Sequence, residues 1–279
     1  MFNTIGLTAR TDQKKAVKLA EKLIHHLETK GCSVLLETEL AEKAGRREIA
    51  TPVEKMKTDL IATIGGDGTI LRTCLSLPKP EPPILAINMG VRGFLAEVQP
   101  NESIKALDDC LEGKFMLERC AKLASFIGET KLPDALNEVF VSTGAPAKLL
   151  YAKIWKDSVE VTECRADGVI VASQVGSTAY SLSAGGPVLD PQLDVFVLTP
   201  VCPLTVFHPI VFSAKSTVTI EPIKPKRVTI VIDGDYQKGV QSENPRITIT
   251  KSKYETTFIR FEENFYHRLK ARLLFPGGA

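Results

Sequence analysis

What most restricts the fold of this chain is a change of rhythm near Leu117. Before that point, strand-like and helix-like segments alternate with short turns between them. Residues 4–7 are a short apolar run. Asp12 stands where an N-cap belongs for a helix over 13–30, in which Val17, Leu19, Ala20, Leu23, Ile24 and Leu27 recur at helical spacing. Gly31 follows at the C-cap position. Residues 32–36 read as a second buried strand, and the polar stretch 37–57 as a helix with a surface loop. The β-rich run 59–64 stops at Gly65-Gly66, and a helix over 70–77 comes directly after it. Residues 84–87 form another strand, ended by the turn 88–93, and Ser103 caps a helix running to Leu111. Repeated strand, turn and helix units of this size predict a Rossmann-like parallel sheet with helices on both faces.

After Leu117 the helices almost vanish. β-prone stretches fall at 123–127, 149–155, 158–162, 169–172, 195–198, 218–220, 228–232, 247–249 and 257–261, with one clear helix near 180–184. Turn residues separate them, which predicts a β-rich, sandwich-like second domain. A basic terminal helix near 264–273 returns to the first domain. The expected division is an α/β domain of 1–117 completed by 264–279, and a β-rich domain of 118–263. With 44% hydrophobic and 24% charged residues the chain can build a sizeable core. A formal net charge of only +2 gives no reason to expect nucleic acid or a membrane surface as partner. No apolar run is long enough to span a bilayer, and the first residues lack the pattern of a secretory signal, so a cytoplasmic protein is expected. The six cysteines form no CxxC pair, which predicts reduced thiols rather than a zinc site or disulfides. No histidine spacing suggests a metal site.

Chemistry concentrates in two glycine-rich segments. In Thr63-Ile-Gly-Gly-Asp-Gly-Thr-Ile70 the glycines let a ligand approach the backbone closely, and the helix start behind them favours phosphate. Asp67 is out of place there, because a carboxylate repels an anion. Helix capping, contact with a magnesium ion, and general-base work on a hydroxyl are the three roles open to it. The second segment, 165–189, runs a buried strand into Gly176-Ser177-Thr178 and ends a helix at Gly185-Gly186-Pro187. Taken alone, Ser177 reads as a helix cap, Asn137-Glu138 as a solvated loop pair, and Asp233-Gly-Asp235 as a tight hairpin turn.

The first segment resembles the GGDGT motif shared by NAD kinases, lipid kinases of the diacylglycerol and sphingosine type, and 6-phosphofructokinases, all of which phosphorylate an alcohol. The second closely resembles the NAD kinase signature, with Arg165-Ala-Asp-Gly168, Gly176-Ser-Thr-Ala-Tyr180 and Ser183-Ala-Gly-Gly-Pro187 in place. Asn88-Met-Gly-Val-Arg-Gly-Phe-Leu95 and Asn137-Glu138 match two further motifs of that family. The resemblance implies a homodimeric or homotetrameric NAD kinase whose donor is ATP or polyphosphate, with Mg²⁺ carried on the phosphates. It implies Asp67 as the base for the adenosine-ribose hydroxyl, with Gly65, Gly66 and Thr69 at the phosphates and Gly68 lining their path. Asn137 and Glu138 hold the adenosine, Glu138 through the ribose hydroxyls. Phe94, Arg165, Thr178, Ala179, Tyr180 and Ser183 belong to the same dinucleotide site, and Asp167 reaches NAD from a neighbouring subunit. The chain departs from the pattern at Ser173-Gln174-Val175, where the family has Thr-Pro-Thr, and at Leu204 and His208, where it has His and Arg. The readings that compete with this one are a lipid kinase of the same superfamily and a non-catalytic dinucleotide sensor.

Overall fold

The computed structural model describes residues 2–90, 93–145, 148–262 and 265–270. The chain divides into two compact units, one of Met1–Arg119 with Thr256–Ala279 and the other of Cys120–Glu255.

The first unit opens with β1 (Thr4–Ala9), α1 (Lys14–Thr29), β2 (Ser33–Leu36), α2 (Thr38–Lys43), β3 (Leu60–Gly65), α3 (Asp67–Ser76), β4 (Ile84–Asn88) and α4 (Ser103–Leu111). Its strands lie in the order β2-β1-β3-β4, all parallel, with Ile5 opposite both Val34 and Leu60, and Ile64 opposite Ile87. All six residues of β3 are buried, as a strand covered on both faces requires. The apolar stripe of α1 packs on this sheet through Ala16, Val17, Ala20, Leu23, Ile24 and Leu27, and Leu107 of α4 joins the same core. Parallel strands crossed by helices present their carboxyl ends, and the turns that follow them, to ligand.

Two expected caps are corrected here. Arg10 takes Asp12 in an ion pair at 2.9 Å, so Gln13 becomes the N-cap of α1 and makes no side-chain bond. Ser103 is the first residue of α4 and donates its hydroxyl to the Pro100 carbonyl at 2.7 Å; Glu102 is the N-cap, and a reciprocal Gln99–Glu102 capping box closes the 3-10 turn before it. The helix expected over 70–77 starts three residues earlier, at Asp67.

From the first unit into the second runs β5 (Met116–Ile127). There follow β6 (Thr130–Lys131), β7 (Glu138–Ser142), β8 (Leu150–Lys156), β9 (Val159–Ala166), β10 (Gly168–Ala172), α5 (Tyr180–Ser183), β11 (Val195–Val201), β12 (Ile210–Ser213), β13 (Val218–Lys224), β14 (Arg227–Ile232) and β15 (Tyr236–Gln241). One antiparallel sheet runs β12-β11-β10-β7-β14-β15, and in another β13 pairs with β8 and β8 with β9. The alternating burial of β8 and β14 shows one face of each strand turned into a core. Finally β16 (Ile247–Arg260) pairs with β13 in the second unit and, through Phe258 opposite Ile84, lies parallel to β4 in the first. The strands expected at 247–249 and 257–261 are therefore one, since no glycine or proline interrupts the sequence between them. Of the terminal helix, α6 (Phe265–Leu269) is described, while Asn264 and residues 271–279 lie outside the described residues. Among the described residues no helix is long and apolar enough to cross a membrane.

Candidate functional site

In the first unit the glycine turn grows straight out of β3. Gly66 is extended (φ −102°, ψ −174°) and serves as N-cap of α3, so Asp67 is the first residue of the helix and not its cap. That removes one of the three roles left open for it. The Asp67 carboxylate instead accepts the Phe94 N–H at 2.9 Å and the Leu95 N–H at 3.2 Å, one on each oxygen. Gly93 makes this approach possible, because a Cβ there would collide with the Asp67 carboxyl group. The same short segment is held from the other side by Arg260, which donates to the Leu95 carbonyl at 2.8 Å and pairs with Glu118 at 2.6 Å. Asn88 holds the preceding turn by exchanging two hydrogen bonds with Gly90. Val91 and Arg92 of that motif lie outside the described residues. Thr69 sits beneath Gly65, and its N–H bonds the Gly66 carbonyl at 2.9 Å. The turn thus leaves open space at Gly66 and Gly68, with a fixed carboxylate beside it.

In the second unit Asn137 and Glu138 are buried at the start of β7, each 7% exposed, which overturns the reading of a solvated loop pair. Asn137 Oδ1 and Glu138 Oε2 find no hydrogen-bond partner among the described residues. Buried acceptors without donors are rare and mark a place where a ligand or water belongs. Burial pushes the Glu138 carboxyl up to about 8; the charge of Asp233 adds to the rise, and a bond from the Tyr180 backbone N–H opposes it. The missed residue is Asp233. Its turn is visible in the sequence, but no local signal shows that the side chain points back at residues 136–138, some 95 positions away.

The segment after β10 supplies the remaining candidates. Ser177 is fully buried and works as a backbone staple, donating to the Gln174 carbonyl at 2.6 Å and accepting the Leu189 N–H at 3.0 Å, so it caps nothing. Thr178 donates to the Val175 carbonyl at 3.0 Å. Ala179 is partly buried at the start of α5, and Ser183 is exposed. Tyr180 is 41% exposed and meets Phe140 edge to face at 5.3 Å. Asp167 is exposed; burial raises the Tyr180 phenol, and the charges of Cys202, Asp167 and Glu138 add to the rise. Tyr180 and Glu138 are brought together by the bond from the Tyr180 backbone. Arg165 is not drawn to them: its guanidinium stacks on Tyr151 at 4.7 Å and its carbonyl accepts the Leu204 N–H. Phe94 is buried beside Asp67 in the first unit. Among the departures, Ser173 is fully buried, Gln174 donates to the Leu193 carbonyl, and Leu204 and His208 are exposed. Among the described residues the six cysteines form no disulfide. Among the described residues no group of three or more His, Cys, Asp and Glu is placed to hold a metal ion.

Residues 5–115 match the family model described as the ATP-NAD kinase N-terminal domain, and residues 136–261 match that of the ATP-NAD kinase C-terminal domain. The NAD kinase of Methanothermobacter thermautotrophicus is 39% identical over 276 residues, covering 98% of this chain and 97% of that protein. Among solved structures, an NAD kinase from Archaeoglobus fulgidus in complex with ATP aligns with a TM-score of 0.78 at 30% identity, over 96% of this chain and 99% of that one. Yeast NADH kinase complexed with NADH shares the fold, with a TM-score of 0.90 at 24% identity over 99% of this chain and 89% of that one. With both family models matched in order and a relative this similar over almost its whole length, the chain belongs to the NAD kinase family.

Proposed function

We propose that this protein transfers the terminal phosphoryl group of ATP, or of polyphosphate, to the 2′-hydroxyl of the adenosine ribose of NAD, giving NADP. The observation that carries the reading is the pair of buried acceptors, Asn137 Oδ1 and Glu138 Oε2, that find no donor among the described residues. A ribose diol supplies hydroxyl donors, whereas diacylglycerol, with its single hydroxyl, would leave one of these atoms unpaired at a cost of about 1–3 kcal/mol. Glu138 takes the ribose hydroxyls and Asn137 the adenosine, while Thr178, Ala179, Tyr180, Ser183 and Arg165 form the rest of the dinucleotide site. Tyr180 is 41% exposed, so part of its side chain is open to a ligand.

The donor lies on Gly65, Gly66 and Thr69, where the start of α3 adds the positive end of its dipole. Mg²⁺ would arrive on the phosphates of ATP and neutralise their charge there. Gly68 lines the phosphate path and Phe94 flanks the acceptor. As the 2′-oxygen attacks the terminal phosphorus, its proton passes to the Asp67 carboxylate, the bond from phosphorus to the bridging oxygen breaks, and ADP leaves. The backbone bonds from Phe94 and Leu95 fix the carboxylate, so no reorganisation is needed when the hydroxyl arrives. The protein works as a homodimer or homotetramer in the cytoplasm, with Asp167, exposed beside Tyr180, reaching the NAD of a neighbouring copy.

The test is direct. Purified protein with NAD and Mg²⁺-ATP should yield NADP phosphorylated at the 2′ position, resolved by chromatography and phosphorus NMR. Phosphorylation of diacylglycerol or sphingosine with NAD untouched, or tight dinucleotide binding without turnover, would replace this reading with a lipid kinase or a sensor.

A further inference from the structure

The backbone of residues 136–138 can be accounted for group by group. The Leu136 N–H donates to Asp233 Oδ2 at 2.7 Å, and the Asn137 and Glu138 N–H groups donate to Asp233 Oδ1 at 2.8 and 3.0 Å. The three carbonyls are taken as completely. Leu136 accepts the Ser173 hydroxyl at 2.5 Å, Asn137 accepts the Ser173 N–H at 2.9 Å, and Glu138 accepts the Asp233 N–H at 3.1 Å. Two residues, one 95 to 97 positions downstream and one on the β10 turn, satisfy all six polar groups of this stretch.

Asp233 is 5% exposed, and an isolated carboxylate does not survive such burial as an ion. Three N–H donors converging on its two oxygens favour the charged form, and so does the nearby charge of Lys122, itself fully buried. Burial nevertheless holds its pKa above the ordinary value. The turn it sits in does not ask for this. With φ +50° at Asp233 and +73° at Gly234, the hairpin between β14 and β15 has the geometry in which Asn-Gly serves as well as Asp-Gly. A carboxylate is required only by what it faces, because an amide would turn an NH₂ toward at least one of the three donors.

We infer that Asp233 is a positioning residue for dinucleotide recognition: with Ser173 it satisfies the whole backbone of residues 136–138, so that Asn137 Oδ1 and Glu138 Oε2 stay fixed and available for the nucleoside. This rests on the proposed acceptor and extends it to residues that touch no substrate. It also accounts for Ser173 at the departure from the family pattern, since the hydroxyl that the clamp uses is retained there.

The experiment compares Asp233→Asn with wild type in steady-state kinetics for both substrates. Asn keeps the turn and removes the carboxylate. The expected result is a KM for NAD raised about 100-fold, with the KM for ATP held within about threefold, because the phosphate turn lies in the other unit. Ser173→Ala should show the same split at about tenfold, and Ser173→Thr, which restores the hydroxyl, should recover NAD affinity. Amide hydrogen exchange at residues 136–138 should quicken in Asp233→Asn while the amides of the Gly65 turn are unchanged. An unaltered KM for NAD, or equal losses for both substrates, overturns the inference. If Asp233→Asn does not fold, Ser173→Ala decides: normal NAD affinity there refutes the clamp. A wild type inert toward NAD would sink the proposed acceptor, whereas hydrogen exchange tests the clamp without it.

Discussion

At Gly66 and Gly68 an added Cβ would meet nothing within 4 Å, whereas at Gly176 it would drive into the Asn137 backbone. The two glycine-rich turns look alike as strings of letters, yet only in the second does a glycine face backbone: in the first, Gly65 meets the Thr69 side chain, and Gly66 and Gly68 face open space. Gly176 has to be bare because the β10 turn packs directly on the recognition pair, with its N–H on the Ser173 hydroxyl at 3.1 Å. Nothing in the chain requires Gly66 or Gly68. Gly66 has dihedrals that any residue adopts, and Gly68 lies in the first turn of α3. Room that the fold does not use is room for a ligand. Under the proposed function the open first turn takes the phosphates, and the second is a wall that holds Asn137 and Glu138.

Four experiments bear on that contrast, and the largest effect falls on the carboxylate of the first turn. Asp67→Asn should lower kcat by about 10³-fold, within the range general-base catalysis supplies, with both substrate affinities kept within about threefold. Near-normal turnover would leave Asp67 as a mere anchor for Phe94 and Leu95. Next in size is Gly176→Ala. The collision is with backbone, which cannot swing aside, so a loss of about 3 kcal/mol is expected in denaturant unfolding, with NAD binding lost alongside. Wild-type stability in the Gly176→Ala protein would show the packing to be slack.

Gly68→Ala should do the reverse of Gly176→Ala. Alanine in a helix gains up to about 1 kcal/mol over glycine, and no contact opposes it here, so the melting temperature should rise. The same methyl should raise the KM for ATP about tenfold, since it fills the space through which phosphate reaches the backbone. A variant that is more stable and binds ATP normally would mean that the donor lies elsewhere.

How much of this was legible in the sequence follows from how local each feature is. The parallel sheet could be read because its strands are apolar on both faces and α1 carries an unbroken stripe, all within one window of sequence. The β-rich half was legible as a kind of fold but not strand by strand. β15 is Tyr-Gln-Lys-Gly-Val-Gln, with one buried side chain, and its strand character comes from its partner β14. β7 was hidden in another way: Asn137-Glu138 looks polar and solvated until β10, β14 and the Asp233 turn close over it. The caps failed at Asp12 and Ser103 because a neighbour, Arg10 in one case and a 3-10 turn in the other, claimed the side chain first. The site motifs were visible by resemblance, but the clamp on residues 136–138 joins positions about 95 apart, and no pattern along the chain encodes such a pair.

The mildest effect on binding concerns the charge of Glu138. Glu138 holds its proton to about 8, first because it is buried and then because Asp233 is nearby. The unfolded chain releases that proton near 4.5. Between those values the folded protein binds a proton that the unfolded chain has lost, so this group's contribution to stability falls as pH rises through the window and levels off above it. Glu138→Gln has no proton to lose, so its stability relative to wild type should improve steadily from pH 5 to pH 8. Binding should run the other way. Ribose hydroxyls donating to Glu138 favour the ionised carboxylate, so NAD uptake expels the proton and tightens with rising pH, by less than tenfold per unit, before levelling near 8. Calorimetric titration in two buffers of different ionisation enthalpy would count the proton released. A wild-type Kd that is flat from pH 6 to 8, with no proton released, would mean that Glu138 meets the nucleoside as a neutral acid, donating to a ribose oxygen rather than accepting from it.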